Sequence, residues 1–436
     1  MDKLKIAFCI ATYNRSIMVE EFLEQFSNLF FELEIDIYYY DSSDDNKSRV
    51  VVEKWMLEYK NIHYVQIPTS WHANKKVLYI IEKFGINQKY DYLWVCGDSL
   101  RFSESVIRKV IELLKLNYDM IIVSHSGKEH PETREYIDKN ELFQNCAWYM
   151  TLFGAVILNV HTMIKDVPWR EIKEKYEVPN HINYSHVGYY FEMINKLDKM
   201  RTIYLSVDQG VWTSRYKTAG GWFNDAFKVL CEYWPSTIEE LPHCYTNKKD
   251  AINKLGYCSC LTPRSFLQYR NVKVYNIHIF LKYRKILKDM SRLNYFQLWS
   301  LSCLSSKLAY FIAINDIPGY FSNRKKIYKL NGFCKKYKDI YVYGAGRAAE
   351  QYGRYLMKKG INYSGFLVTS KERNPDELLN HPVFLISEHE ETWKNKGIIL
   401  GLNQQNLKDV QSVLIKYGLW ENTFHEYILP FVLEER

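Results

Sequence analysis

Residues 5–123 alternate between short apolar runs, rich in β-branched and aromatic side chains, and longer amphipathic patterns. The runs recur about every 25–30 residues, which is the size of one strand-plus-helix unit. They cover 5–10, 34–40, 62–67, 90–96 and 120–123, with helical patterns between them, for example over 18–29 and 75–84. This alternation predicts an α/β fold with a mainly parallel sheet that helices cover on both faces.

The pattern changes twice further along the chain. Residues 126–225 lose the alternation and are dense in His, Trp, Tyr, Gly and Asn, as in loops that close over a site. Residues 226–335 are helical, basic and aromatic, and a second alternation begins with a strand at 339–343 and a helix at 347–359. The sequence therefore predicts three domains, over 1–225, 226–335 and 336–436.

Positive charge is concentrated in one segment of the 436 residues. The formal net charge is +8, yet 264–338 alone carries 16 Lys and Arg against Asp289 and Asp316, so the rest of the chain is mildly acidic. Aromatic and apolar residues at near-helical spacing lie between these bases: Tyr269, Tyr275, Phe280, Tyr283 and Leu287. A basic amphipathic helix suits an anionic membrane surface, and a helical bundle with solvated lysines is the alternative. No recognisable nucleic-acid module is present, so nucleic acid is not an expected partner.

The termini and cysteines indicate the compartment. The first residues lack the pattern of a signal peptide, and no uncharged apolar run reaches the roughly 18 residues of a membrane span. Nine cysteines follow no disulfide framework, which is typical of reduced thiols. We expect a cytoplasmic protein that is peripheral on the inner face of the plasma membrane.

Polar clusters follow the first, second and fourth predicted strands, and they should meet at one edge of the sheet. Their members are Ala11, Thr12, Tyr13, Asn14 and Arg15, then Asp41 and Ser42, then Gly97 and Asp98. Tyr13 offers a ring on which a nucleotide base can stack, and Asp41 offers an acceptor for the base N–H. Asp98 can hold a divalent cation for a diphosphate, and Lys75 can reach a base edge or a phosphate.

These motifs resemble those of family-two glycosyltransferases with the GT-A fold, over about residues 4–225. The resemblance implies a hexosyltransferase-type enzyme that moves a sugar from a nucleotide-diphosphate sugar, with inversion and with Mn²⁺ or Mg²⁺. It implies that Tyr13 and Asp41 hold the base, and that Asp98 is the metal ligand of an Asp-x-Asp-like motif. In this chain Gly97 stands in place of the first acid of that motif. By family habit the nucleotide is UDP.

The catalytic base is left open among three residues. An acidic pair that the family places about 90 residues after the metal motif is absent from the stretch 184–192. His186 is a competent base near neutral pH, and Glu192 and Asp208 are the other candidates. Arg215 and Lys217 are expected to clamp the diphosphate from a glycine-hinged lid.

The C-terminal segment contains a glycine-rich turn between a strand and a helix. Gly344, Gly346 and Ala349 form a G-x-G-x-x-A pattern that can bring a phosphate to the helix N-terminus. The next strand, 364–368, is followed by no acid before Glu372, so NAD is not expected. The segment resembles the small Rossmann-like domains of surface-polysaccharide enzymes, which implies a structural or regulatory role, including self-association into a homo-oligomer.

The sequence thus predicts a glycosyltransferase of bacterial surface-polysaccharide biosynthesis, such as capsule or cell-wall synthesis, with a glycan or lipid-linked acceptor. The alternative is a non-catalytic nucleotide-sugar-binding or scaffold protein of the same pathway. An NAD-dependent oxidoreductase is a third hypothesis, and the missing acid counts against it.

Overall fold

The computed structural model describes residues 4–124, 132–207, 209–214, 222–372, 374–388, 393, 395–402 and 407–433. The chain divides into two compact units, Met1–Cys303 and Leu304–Arg436. No helix in these ranges is long and apolar enough to cross a membrane.

In the described residues of the first unit there are ten strands. They are β1 (Ile6–Thr12), β2 (Ile35–Asp41), β3 (Ile62–Gln66), β4 (Tyr92–Gly97), β5 (Leu100–Phe102), β6 (Met120–Val123), β7 (Arg134–Tyr136), β8 (Val156–Asn159), β9 (Thr202–Leu205) and β10 (Val211–Thr213). Eight of them form one sheet in the order β3-β2-β1-β4-β8-β6-β9-β7, while β5 and β10 form a separate antiparallel pair.

The register of the central strands brings three strand ends together. Strand β1 is parallel to β2 on one side and to β4 on the other. Thr12 lies opposite Asp41, and Ala11 lies opposite Gly97. The carboxyl ends of β1, β2 and β4 are therefore neighbours, which is where ligands bind in sheets of this kind. The one antiparallel strand in the middle of the sheet is β8, between β4 and β6.

Both faces of this sheet are buried, as a parallel sheet requires. Successive residues of β1 belong to opposite sides: Phe8 and Ile10 to one apolar core, Ala7 and Cys9 to the other. The helices that cover the sheet and extend the unit are α1 (Ser16–Glu32), α2 (Lys47–Met56), α3 (Ala73–Asn87), α4 (Glu104–Leu114), α5 (Lys139–Cys146), α6 (Trp169–Tyr176), α7 (Ser185–Lys196), α8 (Ala226–Lys228), α9 (Trp234–Glu239), α10 (Lys248–Leu255), α11 (Pro263–Asn271), α12 (Ile277–Met290) and α13 (Tyr295–Cys303).

Several helices begin where a side chain can accept a hydrogen bond from a free backbone N–H. Ser103 caps α4, Asp138 caps α5, and Asn276 caps α12 in this way. Helix α3 is capped by His72, whose Nδ1 accepts from the N–H of Lys75. Each cap fixes the residue at which its helix begins.

The five aromatic and apolar residues that the spacing singled out in the basic segment are buried in the first unit. Tyr269, Tyr275, Phe280, Tyr283 and Leu287 all belong to the core on one face of the large sheet. They are therefore not available to a membrane, because helices α11 and α12 turn these side chains inward and their basic residues outward. For the same reason the compact units do not follow the predicted divisions after 225 and 335: residues 226–303 share a core with the sheet.

The second unit is a smaller α/β structure. Its strands are β11 (Ile340–Tyr343), β12 (Gly365–Val368), β13 (Glu377–Leu378), β14 (His381–Leu385), β15 (Gly397–Leu400) and β16 (Thr423–Phe424), in the sheet order β13-β14-β12-β11-β15-β16. Its helices are α14 (Ser306–Ala313), α15 (Ile317–Cys334), α16 (Arg347–Lys358), α17 (Leu407–Lys416) and α18 (Pro430–Leu433). All neighbours except β13 and β14 are parallel. The predicted fold class, α/β with a helical basic segment and a small C-terminal α/β domain, is confirmed.

Candidate functional site

Asp98 lies where the ends of β1 and β4 meet, and protein groups occupy both of its carboxylate oxygens. Thr12 Oγ1 donates to Asp98 Oδ2 at 2.9 Å, and Arg15 Nη1 donates to Oδ1 at 2.7 Å. The Asp98 side chain is 5% exposed, whereas that of Arg15 is 29% exposed. The carboxylate is therefore the inner partner of an ion pair whose guanidinium reaches solvent.

Asp41, at the end of β2, is fully buried and also engaged on both oxygens. Its Oδ1 accepts from the backbone N–H of Ser43 at 2.9 Å, and its Oδ2 accepts from the Tyr64 hydroxyl at 2.9 Å. Burial and the Asp41 carboxylate raise the pKa of Tyr64. Ser42 is buried beside it, with its N–H donating to the Thr12 carbonyl. Asp41 thus shapes the loop after β2 rather than presenting a free acceptor.

The loops after β1 and β2 are tied together by reciprocal polar contacts. Asn14 adopts a left-handed backbone conformation, with φ of 51°, and its side chain both donates to the Asp44 carboxylate and accepts from the Asp44 N–H. The Tyr13 hydroxyl donates to the same carboxylate at 2.6 Å. These bonds lower the pKa of Asp44. Tyr13 is 44% exposed, so its ring is held in place by one end and open to a ligand.

The lysine that reaches this edge is Lys76, whereas the predicted Lys75 lies outside it. Lys76 Nζ donates to the Thr12 carbonyl at 2.9 Å and lies 5.4 Å from the centre of the Tyr13 ring. Burial lowers the pKa of Lys76 to about 8, and Asp98 and Asp41 act in the opposite direction. Lys75 is exposed, with its ammonium 5.1 Å from the Trp71 ring.

Of the three predicted bases, His186 lies inside the protein and Glu192 is paired with other side chains. His186 is fully buried, with Nδ1 2.6 Å from Asn74 Oδ1 and Nε2 3.3 Å from the Thr151 carbonyl. Burial lowers the pKa of His186 from 6.5 to about 4. Glu192 accepts from Lys175 Nζ at 2.8 Å and from the Tyr176 hydroxyl at 2.9 Å. Neither residue is among those that the strand ends bring together.

Asp208, Arg215 and Lys217 lie outside the described residues. Gly97 is described, and its conformation does not demand glycine. A Cβ placed there would meet only Phe153 Cβ, at 3.9 Å, which is ordinary van der Waals contact. Packing therefore does not explain why glycine stands in the first position of the motif.

A buried ion pair that the sequence did not reveal supports the turn after β4. Arg101 has no exposed surface; its Nη1 donates to the Asp98 carbonyl at 2.6 Å and its Nη2 donates to the Glu21 carboxylate at 3.0 Å. Ser214, which follows β10, donates its hydroxyl to the same carboxylate. Arg101 thereby joins the turn that carries Asp98 to α1 and to the strand pair β5–β10. Arginine in a short polar stretch is normally exposed, so no sequence signal marked it.

The glycine-rich turn of the second unit borders a cleft of about 740 Å³. Gly344 has a φ of +112°, and a Cβ there would lie 2.9 Å from the Gly401 carbonyl, so glycine is needed for the close approach of two strand ends. Ala349 is buried against Gly401. A Cβ on Gly346 would meet no atom within 4 Å, so this position faces the cleft. Close packing accounts for Gly344 and Ala349, and leaves Gly346 as the position open to a ligand.

Helix α15 of the second unit exposes both basic and large apolar residues on one face. Ile317, Phe321 and Tyr328 are 47%, 64% and 80% exposed, Arg324 lies on the same face, and Lys335, the residue after the helix, continues the same spacing. This exposed face differs from α12, whose large aromatic residues are buried.

No family model matches this sequence, and no curated protein matches it. Among solved structures, the chain is similar to Staphylococcus aureus TarS 1-349 in complex with UDP, at a TM-score of 0.37 and 10% identity, over 75% of this chain and 92% of that chain. It is similar to the mannosyltransferase PcManGT from Pyrobaculum calidifontis in complex with GDP-Man and Mn²⁺, at 0.36 and 10%, over 71% and 85%. It is also similar to glucosyl-3-phosphoglycerate synthase from Mycobacterium tuberculosis in complex with UDP, at 0.35 and 10%, over 55% and 81%. Similarities this low assign neither a donor nor a reaction to this chain.

Proposed function

We propose that this protein is a glycosyltransferase that takes a sugar from a nucleotide-diphosphate sugar. The observation that carries the proposal is the convergence of three strand ends into one polar cluster. Arg15 and Lys76 bring two cations to this edge, and Tyr13 brings an open aromatic ring. A ring beside two cations matches the two parts of a nucleoside diphosphate, a base that stacks and phosphates that carry negative charge.

Each residue then has a distinct part in donor binding. The Tyr13 ring stacks on the base, and its hydroxyl bond to Asp44 fixes the ring. Arg15 and Lys76 contact the diphosphate. Asp41 acts through the loop that it orders with Ser43 and Tyr64, because its own oxygens are already bonded.

We expect the base to be neither His186 nor Glu192. A group that deprotonates an acceptor hydroxyl must come within hydrogen-bond reach of it. His186 faces protein atoms with both ring nitrogens, and Glu192 is paired with Lys175. Asp208 is therefore the first residue to replace in a search for the base, and loss of transfer with retained donor binding would identify it.

For the finer assignment we propose a UDP-sugar donor, an inverting reaction and a glycan or lipid-linked acceptor of bacterial surface polysaccharide. The resemblance of the strand-end motifs to family-two glycosyltransferases supports this choice. A panel of UDP-, GDP-, CDP- and TDP-sugars with the purified chain tests the donor, and release of one nucleotide on addition of acceptor identifies it.

We also propose that α15 rests on an anionic membrane surface. Its exposed face combines apolar side chains with Arg324 and Lys335, and each basic residue near such a surface contributes about 1 kcal/mol. The full chain should float with phosphatidylglycerol vesicles and not with phosphatidylcholine vesicles, and Phe321→Ser with Tyr328→Ser should abolish flotation. Leu57→Ser, at another exposed apolar position, is the matched control. Equal flotation with both lipids would contradict the proposal.

Adjacent lysines provide the test of the main proposal. Lys76→Met should weaken UDP binding by at least about tenfold in calorimetry, since a charge-assisted bond contributes roughly 1.5–3 kcal/mol. Lys75→Met should leave the dissociation constant nearly unchanged, because its ammonium lies over Trp71 rather than at the strand ends. If no nucleoside diphosphate binds the wild-type chain, the proposal is wrong.

A second candidate function is non-catalytic binding of a nucleotide-sugar, as a scaffold. The burial of His186 and the pairing of Glu192 favour it, because neither can act as a base in this arrangement. Donor binding without hydrolysis or transfer to any acceptor extract would support the scaffold. Turnover that is lost in Asp208→Asn would support the enzyme.

A further inference from the structure

We propose that the site holds the diphosphate of its donor without a divalent cation, and that Arg15 and Lys76 supply the positive charge instead. The inference rests on the proposed function and departs from the Mn²⁺ or Mg²⁺ that the family resemblance implies. It follows from the hydrogen bonds that Asp98 accepts, from the partners of the neighbouring carboxylates and from the positive charges at the strand ends.

The one carboxylate at the metal position already has partners. Asp98 accepts from Arg15 on one oxygen and from Thr12 on the other, and its side chain is almost completely buried. Magnesium and manganese ions are held by carboxylates that are free to turn toward them, with water and phosphate completing the shell. A cation at Asp98 would first have to displace a guanidinium.

The neighbouring carboxylates do not complete a metal site. Gly97 stands where the motif would carry its first acid. The oxygens of Asp41 are bonded to Ser43 and Tyr64, and Asp44 is bonded to Tyr13 and Asn14. In the described part of the chain, no three His, Cys, Asp or Glu side chains are grouped as metal ligands.

The charges around Asp98 also disfavour a cation. Arg15 touches the carboxylate directly, and Lys76 donates to the backbone carbonyl of Thr12, the same residue whose hydroxyl donates to Asp98. A divalent ion placed against Asp98 would meet both positive groups at short range in a partly buried site, where repulsion is weakly screened.

The same two side chains suit a diphosphate. A guanidinium presents several N–H groups in a planar fork that matches phosphate oxygens, and only one nitrogen of Arg15 is engaged with Asp98. The partial exposure of Arg15 lets the remaining N–H groups reach a ligand from solvent. Lys76 has two further N–H groups besides the one on Thr12. Together they can hold the negative charge that a metal ion holds elsewhere.

The experiment is calorimetric titration of the full chain with UDP, or with whichever nucleoside diphosphate binds, in EDTA and in MnCl₂. The wild-type dissociation constant should agree within about threefold between the two conditions, and Arg15→Met should weaken binding at least about tenfold in EDTA. Lys83→Met, on the same face of the unit but paired with the Tyr40 and Tyr79 rings, is a charge-matched control that should bind normally.

Binding that is more than threefold tighter with Mn²⁺ would overturn the inference and leave the proposed function standing. Unchanged binding by a folded Arg15→Met chain in EDTA would overturn it as well. The wild-type comparison needs no variant, so it decides the question even if Arg15→Met does not fold. Absence of binding in both conditions would remove the proposed function and this inference with it.

Discussion

Lys76 is a buried lysine whose charge state changes within a convenient pH range. Because its pKa is lowered to about 8, the ammonium loses its charge as the pH rises through that value. On the proposed function, nucleotide affinity should fall by about tenfold between pH 7 and 9, as a charged contact is lost. Lys76→Arg stays charged throughout, so its affinity should remain flat. Parallel pH profiles of the two proteins in calorimetry would show that Lys76 does not contact the ligand.

We expect the protonation of His186 to affect the stability of the fold rather than catalysis. Its folded pKa of about 4 lies below its ordinary 6.5, so the folded state binds fewer protons than the unfolded state between these values. Stability therefore falls as the pH drops from 6.5 toward 4, by up to about 1.4 kcal/mol per pH unit. Urea unfolding of His186→Gln should show a shallower loss over this range than wild type, with nucleotide binding retained. Loss of transfer in a stable His186→Gln protein would instead assign it a catalytic part.

The two lysines of α3 show how much of the site the sequence predicts at the scale of single residues. A basic residue at the start of the helix after β3 was predictable, because the strand and the helical pattern around it are regular. The choice between Lys75 and Lys76 was not, since neighbouring residues on a helix point about 100° apart. The phase is set by the His72 cap and by the irregular stretch before it, which carries no repeating pattern.

At the scale of elements, the Arg101–Glu21 pair joins α1 to the turn that carries Asp98. Arg101→Met should destabilise the first unit by about 3–5 kcal/mol, because it leaves the Glu21 carboxylate buried beside Ser214 without its cation. The double variant with Glu21→Gln should recover part of this loss. Urea unfolding of the single and double variants measures both effects, and a fully additive pair would contradict the coupling.

The positions of the strands were predictable because local sequence pattern determines them. Their order in the sheet was not, because it depends on contacts between distant parts of the chain. Apolar runs gave β1 to β4 and β6 within about two residues, because buried strands need continuous apolar sequence. Strand β8 has such a run too, but its insertion between β4 and β6 depends on contacts far apart in the chain. For the same reason the aromatic residues of α12 left a membrane-facing helix and a helical bundle both open: spacing shows that they share a face, and only the tertiary packing shows that the face is covered.

For the molecule as a whole, the boundary between the compact units makes a prediction about fragments. Phe311, Leu330 and Cys334 are buried in the core of the second unit, although they precede the predicted start of that domain at residue 336. A fragment 304–436 should unfold cooperatively, whereas 336–436 should be less stable by at least about 3 kcal/mol, since large apolar side chains contribute roughly 1.5–3 kcal/mol each. Urea unfolding of the two fragments by circular dichroism tests this. Equal stability would show that α14 and α15 are dispensable.

In the ligand-free protein, the Asp98 carboxylate is already bonded to Arg15 and therefore competes with the donor diphosphate for this guanidinium. An incoming diphosphate binds the N–H groups of Arg15 that Asp98 leaves free, so the two anions share the charge of one guanidinium. On the proposed function, this sharing also acts after transfer. Because Asp98 keeps its hold on Arg15 throughout, the residue that moderates affinity for the donor also favours the departure of the product.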